Sequence, residues 1–218
     1  VERLPCLGGH AVAMNRYFPK MCPPYCGMEI NFRRIKDNPL IQYFISTELT
    51  AVDQLEIGFK VRLESAPEYV NNNCTLCGDC SAECPIDIPN SFNQLMSTIK
   101  AIDHPHDLAF PERYHLDQDF CRKDECSKCS EACTYGAIDL KAKVQTHEFE
   151  VQSIIMATGW QSFDPTILPD YSFGRHPDIL NSLMMERMSA LNGPTAGVLR
   201  CEALDGPPEK ISFLQCVG

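Results

Sequence analysis

The chain has 218 residues, 44% of them hydrophobic, enough for one large or two modest domains with a real core. Acidic residues outnumber basic ones 29 to 19, and the net charge of −10 argues against a nucleic-acid binder, which needs a basic face for phosphates. No apolar run approaches the roughly 20 residues that cross a bilayer and no basic-then-apolar leader opens the sequence, so a cytoplasmic protein is expected. Along the chain, residues 27–37 (GMEINFRRIKD) carry apolar Met28, Ile30, Phe32 and Ile35 among polar neighbours and stop before Pro39, which predicts a short helix. Residues 40–52 and 57–63 are rich in β-branched and aromatic side chains, with Gly58 near the turn, and predict a hairpin or meander. Residues 91–102 (SFNQLMSTIKAI) have the pattern of an amphipathic helix. Residues 149–157 (FEVQSIIMA) predict a strand running into Thr158, Gly159 and Trp160, and 177–191 predict a helix inside a Pro- and Gly-rich stretch. Residues 210–217 (KISFLQCV) predict a last, largely buried strand that looks like the start of a further domain.

Charge and cysteine are unevenly spread. Residues 1–65 are net +1, residues 66–140 net −8 and residues 141–218 net −3, and eight of the thirteen cysteines fall in the acidic middle, which reads as an inserted module. A secreted disulfide scaffold can be that rich in cysteine, but such chains are short and an odd count leaves one thiol over. Spacing decides the matter. Cys74, Cys77, Cys80 and Cys84, followed by Pro85, form the C-x2-C-x2-C-x3-C-P run of bacterial ferredoxins; Cys121, Cys126, Cys129 and Cys133 follow with spacings x4, x2 and x3. Three thiolates a few residues apart wrap three irons of one cubane, and the fourth, one short turn on, reaches the neighbouring cluster. The predicted 4Fe–4S ligand sets are therefore crossed: Cys74, Cys77, Cys80 and Cys133 for one cluster, Cys121, Cys126, Cys129 and Cys84 for the other. Zinc sites use two ligand pairs separated by a longer loop, and disulfides would ignore such spacing. Small residues at Gly78, Ser81, Ser127 and Ser130 leave room for cluster sulfides and for backbone N–H donors. The 36 residues between Cys84 and Cys121 exceed what a minimal two-cluster ferredoxin needs. His104, His106 and His115 in that spacer read as surface-loop residues without a role.

A second signature lies outside the insert. Glu2 and Arg3 followed by Cys6, Leu7, Gly8 and Gly9 look like the end of the second strand of a dinucleotide-binding fold, where an acidic residue accepts hydrogen bonds from the adenosine ribose and a Gly-Gly pair lets the backbone approach the cofactor. Ala157, Thr158 and Gly159 after a strand resemble the second fingerprint of two-dinucleotide-domain flavoproteins. With the ferredoxin run and the segments LGGHAVAMNRYFPKMCPPYCGMEINFRRI, IIMATGW, FGRHPDIL, MMERM, NGPTAG and ISFLQCVG, the chain resembles, over nearly all its length, the A subunit of heterodisulfide reductase and its relative, the A subunit of the quinone-interacting membrane-bound oxidoreductase. The resemblance implies an α/β class: part of a thioredoxin-reductase-like FAD-binding fold with an inserted α+β two-cluster ferredoxin domain. Residues 1–65 would be the first part of the FAD-binding domain, 66–140 the ferredoxin insert, 141–160 the return strand, and 161–218 a linker and the start of a second nucleotide-binding domain. By that match Glu2, with Arg3 beside it, would hold the ribose, Gly8 and Gly9 the cofactor backbone, Leu49 the adenine through its main chain, and Ala157, Thr158 and Gly159 the flavin side. The glycine-rich G-x-G-x-x-G turn expected ahead of Glu2 is absent, so an internal portion of a longer subunit is expected.

Cys6, Cys22 and Cys26 lie in the flavin half. In some heterodisulfide reductase A subunits the equivalent region ligates a further cluster near the flavin, which makes these three candidate ligands of a third cluster; the alternative is a buried or redox-active thiol set. Cys201 reads as a loop cysteine and Cys216 as a core one. No Ser-His-Asp set, paired carboxylates or phosphate loop offers a catalytic centre, so no catalytic residue is assigned. A flavin exchanges two electrons and a 4Fe–4S cluster one, so the expectation is an oxidoreductase subunit of anaerobic metabolism that couples the two and works within a complex. The resemblance implies partners of the heterodisulfide reductase B and C type, quinone-module subunits, a hydrogenase, a formate dehydrogenase or a sulfur-metabolism reductase, with membrane contact only through them. The C-x3-C pair followed by GMEINFRRI is nearer the quinone-linked branch, whereas Cys6 is nearer the other. The alternative is a ferredoxin-like wiring module without a functional flavin of its own.

Overall fold

A hairpin turning at Gly58 begins the largest sheet of the computed structural model, which describes residues 1–123 and 125–215. Strands β1 (Thr47–Gln54) and β2 (Phe59–Ser65) pair antiparallel from Thr47↔Ser65 to Gln54↔Phe59, with a register shift between Leu49 and Ala51. Gly58 has φ +87°, and a Cβ there would sit 2.3 Å from the Val151 carbonyl oxygen, so a side chain cannot be accommodated at this turn. The hairpin is the predicted one, but its first strand begins at Thr47 and not at residue 40. In β2 the period of two is plain. Val61 and Leu63 are buried, while Lys60 and Arg62 point outward and share the Glu148 carboxylate at 2.9 and 2.7 Å. Those two cations hold the Glu148 carboxyl below its ordinary pKa.

The third strand, β7 (Gln145–Val151), pairs with β2 antiparallel from Ser65↔Gln145 to Phe59↔Val151. It lies earlier than the strand predicted over 149–157. Because β2 begins at Phe59, directly after the Gly58 turn, the chain beyond Val151 has no ladder partner there, and residues 153–160 run without regular structure. Ile155 and Met156 are accordingly exposed. Residues 66–144 thus leave and re-enter the sheet at adjacent strands.

Within that stretch lie α2 (Asp79–Ala82), β3 (Asp87–Pro89), β4 (Thr98–Lys100), β5 (Ile102–Asp103), β6 (His115–Leu116) and α3 (Lys128–Ala132). β3 pairs with β4 and β5 with β6, both antiparallel, and α2 packs against α3. Tyr69, Val70, Ile88, Ala101, Ile102 and Leu116 build the core, together with Cys80, Cys84 and Cys129. No helix forms over the predicted 91–102. The Asn90 side chain accepts the Asn93 N–H at 3.2 Å, Asn93 Nδ2 donates to Ser97 Oγ at 3.0 Å, and Gln94 and Leu95 take positive φ of 54° and 64°. The Asn90 side chain thus takes the Asn93 N–H, and the left-handed residues that follow turn the chain away from a helix.

The chain divides into two units, each discontinuous in sequence. The first comprises Val1–Gly9, Gly27–Pro89 and Thr98–Ala157; the second comprises His10–Cys26, Asn90–Ser97 and the chain from Thr158 onward. Helix α1 (Tyr25–Asp37) covers the predicted 27–37 and buries Phe32, whose ring stacks on Phe110 with centroids 5.3 Å apart. In the second unit, helix α4 (Ser182–Ser189) lies within the predicted 177–191 and is capped by Asn181, whose Oδ1 accepts the Met184 N–H at 2.8 Å. Arg187 on α4 is 1% exposed. Its guanidinium donates to Asn93 Oδ1 (3.0 Å), to the Ala13 carbonyl (3.3 Å) and to Asn192 (3.0 and 3.1 Å), and it lies over the Phe92 ring. One buried cation therefore ties the three segments of this unit together. The buried strand expected over 210–217 is not formed in its described part, where Ile211, Phe213 and Leu214 are exposed; Cys216 and Val217 lie outside the described residues. Among the described residues no helix is long and apolar enough to cross a membrane. All sheet pairings described are antiparallel, and the class is mixed helix and sheet.

Candidate metal centre: two cysteine quartets

Each cysteine run folds as a tight turn followed by one turn of helix. Leu76 and Gly78 take positive φ (58° and 95°), which reverses the chain after Cys77 and starts α2, where Cys80 is buried. The second run has the same plan: Ser127 precedes α3, which buries Cys129. Burial pushes the Cys80 thiol up to about 12 from its ordinary 9.0, and the neighbours that add to the rise are Cys74, Cys133 and Cys77. Burial likewise lifts Cys129 to about 11, and its contributing sulfurs are Cys121, Cys84 and Cys126. Cys121 is raised by burial and by Cys84 and Cys126.

Cys133 of the second run is thus a neighbour of Cys80 with Cys74 and Cys77, and Cys84 of the first run is a neighbour of Cys121 and Cys129. Cys74, Cys77, Cys80 and Cys133 also line one small cavity with Val70, Tyr114 and Ile138. The contact between α2 and α3 brings the runs within reach of each other. One backbone N–H reaches a sulfur directly: Ala137 N–H donates to Cys133 Sγ at 3.3 Å. All twelve described cysteines are free thiols.

Four soft donors per site, one of them buried in the first set and two in the second, fit an iron–sulfur cubane, which keeps its four thiolates on separate irons. A single zinc would require four sulfurs about 3.8 Å apart around one point. Among the described residues no three His, Cys, Asp or Glu groups close on one ion-sized point.

The other candidate residues are distributed differently. Glu2 joins the first unit through its backbone, donating to the Phe44 carbonyl at 2.7 Å and accepting the Thr47 N–H at 3.0 Å, while its carboxylate accepts the Leu4 N–H at 2.9 Å. Arg3 is exposed. Gly8 and Gly9 both take positive φ (119° and 52°), and nothing lies within 4 Å of where a Gly9 Cβ would be, so the backbone at this turn is open to approach. Leu49 is half-exposed at the register shift of β1. Ala157 ends the first unit; Thr158 and Gly159 belong to the second, where the His10 and Trp160 rings lie 4.6 Å apart. Cys6 is in the first unit and buried, whereas Cys22 and Cys26 are in the second and exposed. Cys201 donates to Asp178 Oδ2 at 3.0 Å, and that carboxylate raises its thiol.

One residue passed over in the sequence has a definite contact. His106, expected on a surface loop, is 8% exposed, and its Nε2 lies 3.3 Å from Cys6 Sγ. Burial, with a smaller contribution from Glu2, pushes the Cys6 thiol up to about 12. The partners are far apart in the chain and no local pattern announces them. His104 and His115 are partly buried, and burial lowers the pKa of each.

These features define a class: a cysteine-rich protein whose two cysteine runs offer soft metal donors. No family model matches the chain. It is similar over its whole length to the A subunit of H(2):CoB-CoM heterodisulfide,ferredoxin reductase of Methanothermobacter marburgensis, at 32% identity across 33% of that protein. It is 33% identical to the A subunit of ferredoxin:CoB-CoM heterodisulfide reductase of Methanosarcina mazei, across 28% of it. It is 34% identical to the iron-sulfur A subunit of CoB–CoM heterodisulfide reductase of Methanocaldococcus jannaschii, across 33% of it. The chain is thus a relative of the heterodisulfide reductase A subunits, and it spans about a third of the length of the curated relatives it matches.

Proposed function

We propose that this chain is the cluster-bearing portion of an oxidoreductase A subunit. It passes single electrons between a flavin and partner subunits. One 4Fe–4S cluster would be held by Cys74, Cys77, Cys80 and Cys133, the other by Cys121, Cys126, Cys129 and Cys84. The observation that supports this reading is that Cys133 lines one cavity with Cys74, Cys77 and Cys80, while Cys84 neighbours Cys121 and Cys129. When bound, the clusters supply one-electron transfer. The chain's part is to deliver thiolates. Its raised thiols are protonated at neutral pH in the metal-free protein, so ligation expels protons and is favoured by higher pH. The Ala137 N–H, which donates to Cys133 Sγ, would stabilise negative charge on that sulfur when it is a ligand. Flavin adenine dinucleotide would lie at the Gly8–Gly9 turn with Glu2 toward its ribose, and the complex's disulfide or quinone chemistry would belong to partners. The open backbone at Gly9 supports that reading. Anaerobic purification of the full-length subunit tests both parts. Iron and sulfide near eight each per chain, with a flavin spectrum, is the expected result; iron without flavin would instead favour a wiring module that has no flavin of its own.

A further inference from the structure

His106 and Cys6 make a contact that the two quartets do not use. Both side chains are more than nine-tenths buried, and Cys6 Sγ lies 3.3 Å from His106 Nε2. The other ring nitrogen sets the direction of the bond. His106 Nδ1 accepts the Leu108 N–H at 3.2 Å, so it carries no proton; in the neutral ring the proton sits on Nε2, and Nε2–H donates to the sulfur. Sulfur accepts this bond as thiol or as thiolate.

The main chain repeats the link one residue further on. Leu7 N–H donates to the Phe110 carbonyl at 2.9 Å, and the Phe110 ring packs on Phe32 of α1 and on Tyr43, with centroids 5.3 and 5.2 Å away. Loop 104–110 of the insert is thereby fastened to residues 6–7 by a buried side-chain bond and a backbone bond, and to Phe32 and Tyr43 by aromatic packing. The point of attachment immediately precedes Gly8 and Gly9.

We propose that His106 is a positioning residue: its bond to Cys6 holds the cysteine-rich insert in register against the segment that turns at Gly8–Gly9. That register sets the separation across which electrons pass between the insert and a flavin at the turn. The electron-transfer consequence rests on the function proposed above, whereas the register itself does not.

The test uses the full-length subunit in its complex, loaded anaerobically, with His106→Phe and His106→Gln. Phenylalanine keeps a ring but loses the donor; glutamine carries its amide nitrogen to about the place of Nε2. Peptide-resolved alkylation of Cys6 and hydrogen exchange of the Leu7 amide read the register. Stopped-flow transfer from reduced flavin to the clusters reads the separation, and the cluster spin-resonance signals check that the clusters themselves are unchanged. His106→Phe should raise Cys6 alkylation and Leu7 exchange about tenfold, the scale expected for one buried hydrogen bond, and should slow transfer severalfold with signals and iron content unchanged. His106→Gln should restore all three. Unchanged alkylation and exchange in His106→Phe, or no recovery in His106→Gln, would overturn the register. Opened register with undiminished transfer would overturn the positioning role. A wild-type protein without iron or flavin would sink the proposed function, yet alkylation and exchange would still decide the register. Should His106→Phe not fold, Cys6→Ala removes the acceptor, and the same rise in Leu7 exchange is expected.

Discussion

The fold treats its two groups of motif cysteines in opposite ways. In the runs at 74–84 and 121–133, a turn feeds one turn of helix, and Cys80, Cys84 and Cys129 become part of a core with Tyr69, Ile88, Ile102 and Leu116. The C-x3-C pair is arranged otherwise. Cys22 pairs in an isolated bridge with Tyr17, Pro23 and Pro24 intervene, and Cys26 sits on the first turn of α1; both thiols are exposed. In the first run the left-handed turn at Leu76 and Gly78 leads into the helix that buries Cys80, with Cys77 left exposed, whereas both sulfurs flanking the Pro-Pro link face water. Cysteine count alone does not distinguish them; the turn chemistry between the cysteines does.

The largest effect that would sharpen this contrast is on iron. Cys84→Ser should reduce iron from about eight to about four per chain, and the lost cluster should be the one assigned to Cys121, Cys126 and Cys129. Loss of the cluster assigned to Cys74, Cys77 and Cys80 would break the crossing. Next comes the support of the second unit. Arg187→Met removes a buried donor to Asn93, Ala13 and Asn192, and should lower stability by about 3 kcal/mol in denaturant titrations.

A pH effect of similar or smaller size separates buried from exposed thiols. Cys6 is raised by burial from 9.0 to about 12 in the folded protein, so its stabilising contribution is complete below pH 9 and is lost as pH climbs through 12. Metal-free protein should therefore weaken steadily across that window, and Cys6→Ala should flatten the decline; an equally steep decline in the variant would refute the assignment. A gentler effect concerns the −8 charge of residues 66–140. Transfer to a partner should slow severalfold as ionic strength passes about 0.15 M, where charges are screened beyond about 8 Å. A salt-independent rate would leave the charge a solubilising role. The smallest expected change is none: Cys22→Ser with Cys26→Ser should leave the iron count intact. A loss of about four irons would instead join these residues to Cys6 in a third cluster.

Much of the arrangement was legible because it is local. The short spacings of the cysteine runs dictate which sulfurs a turn can bring together, α1 follows from its apolar positions and Pro39, and Gly58 marks a turn that only glycine fits. What escaped reading depends on partners distant in sequence. The strand expected to run to residue 157 stops at Val151 because β2 has already turned, and residues 91–102 look helical until Asn90 takes the Asn93 amide and Gln94 and Leu95 turn left-handed. His106 meets Cys6 across 100 residues, and nothing in the periodicity of either segment could pair them.

Ser65 and Gln145 face each other across one strand spacing, about 4.8 Å, at the mouth of everything from 66 to 144. To the sheet, that whole stretch is a hairpin loop. Closing a longer loop costs little more than closing a short one, since the penalty grows only with the logarithm of length. A two-residue Asn-Gly turn grafted between β2 and β7 would meet the same geometric demand. The sheet therefore sets no limit on the length of that loop: residues could be added or lost within it without changing a strand partner, and what constrains its interior is the set of bonds made by Asn93, His106 and Phe110.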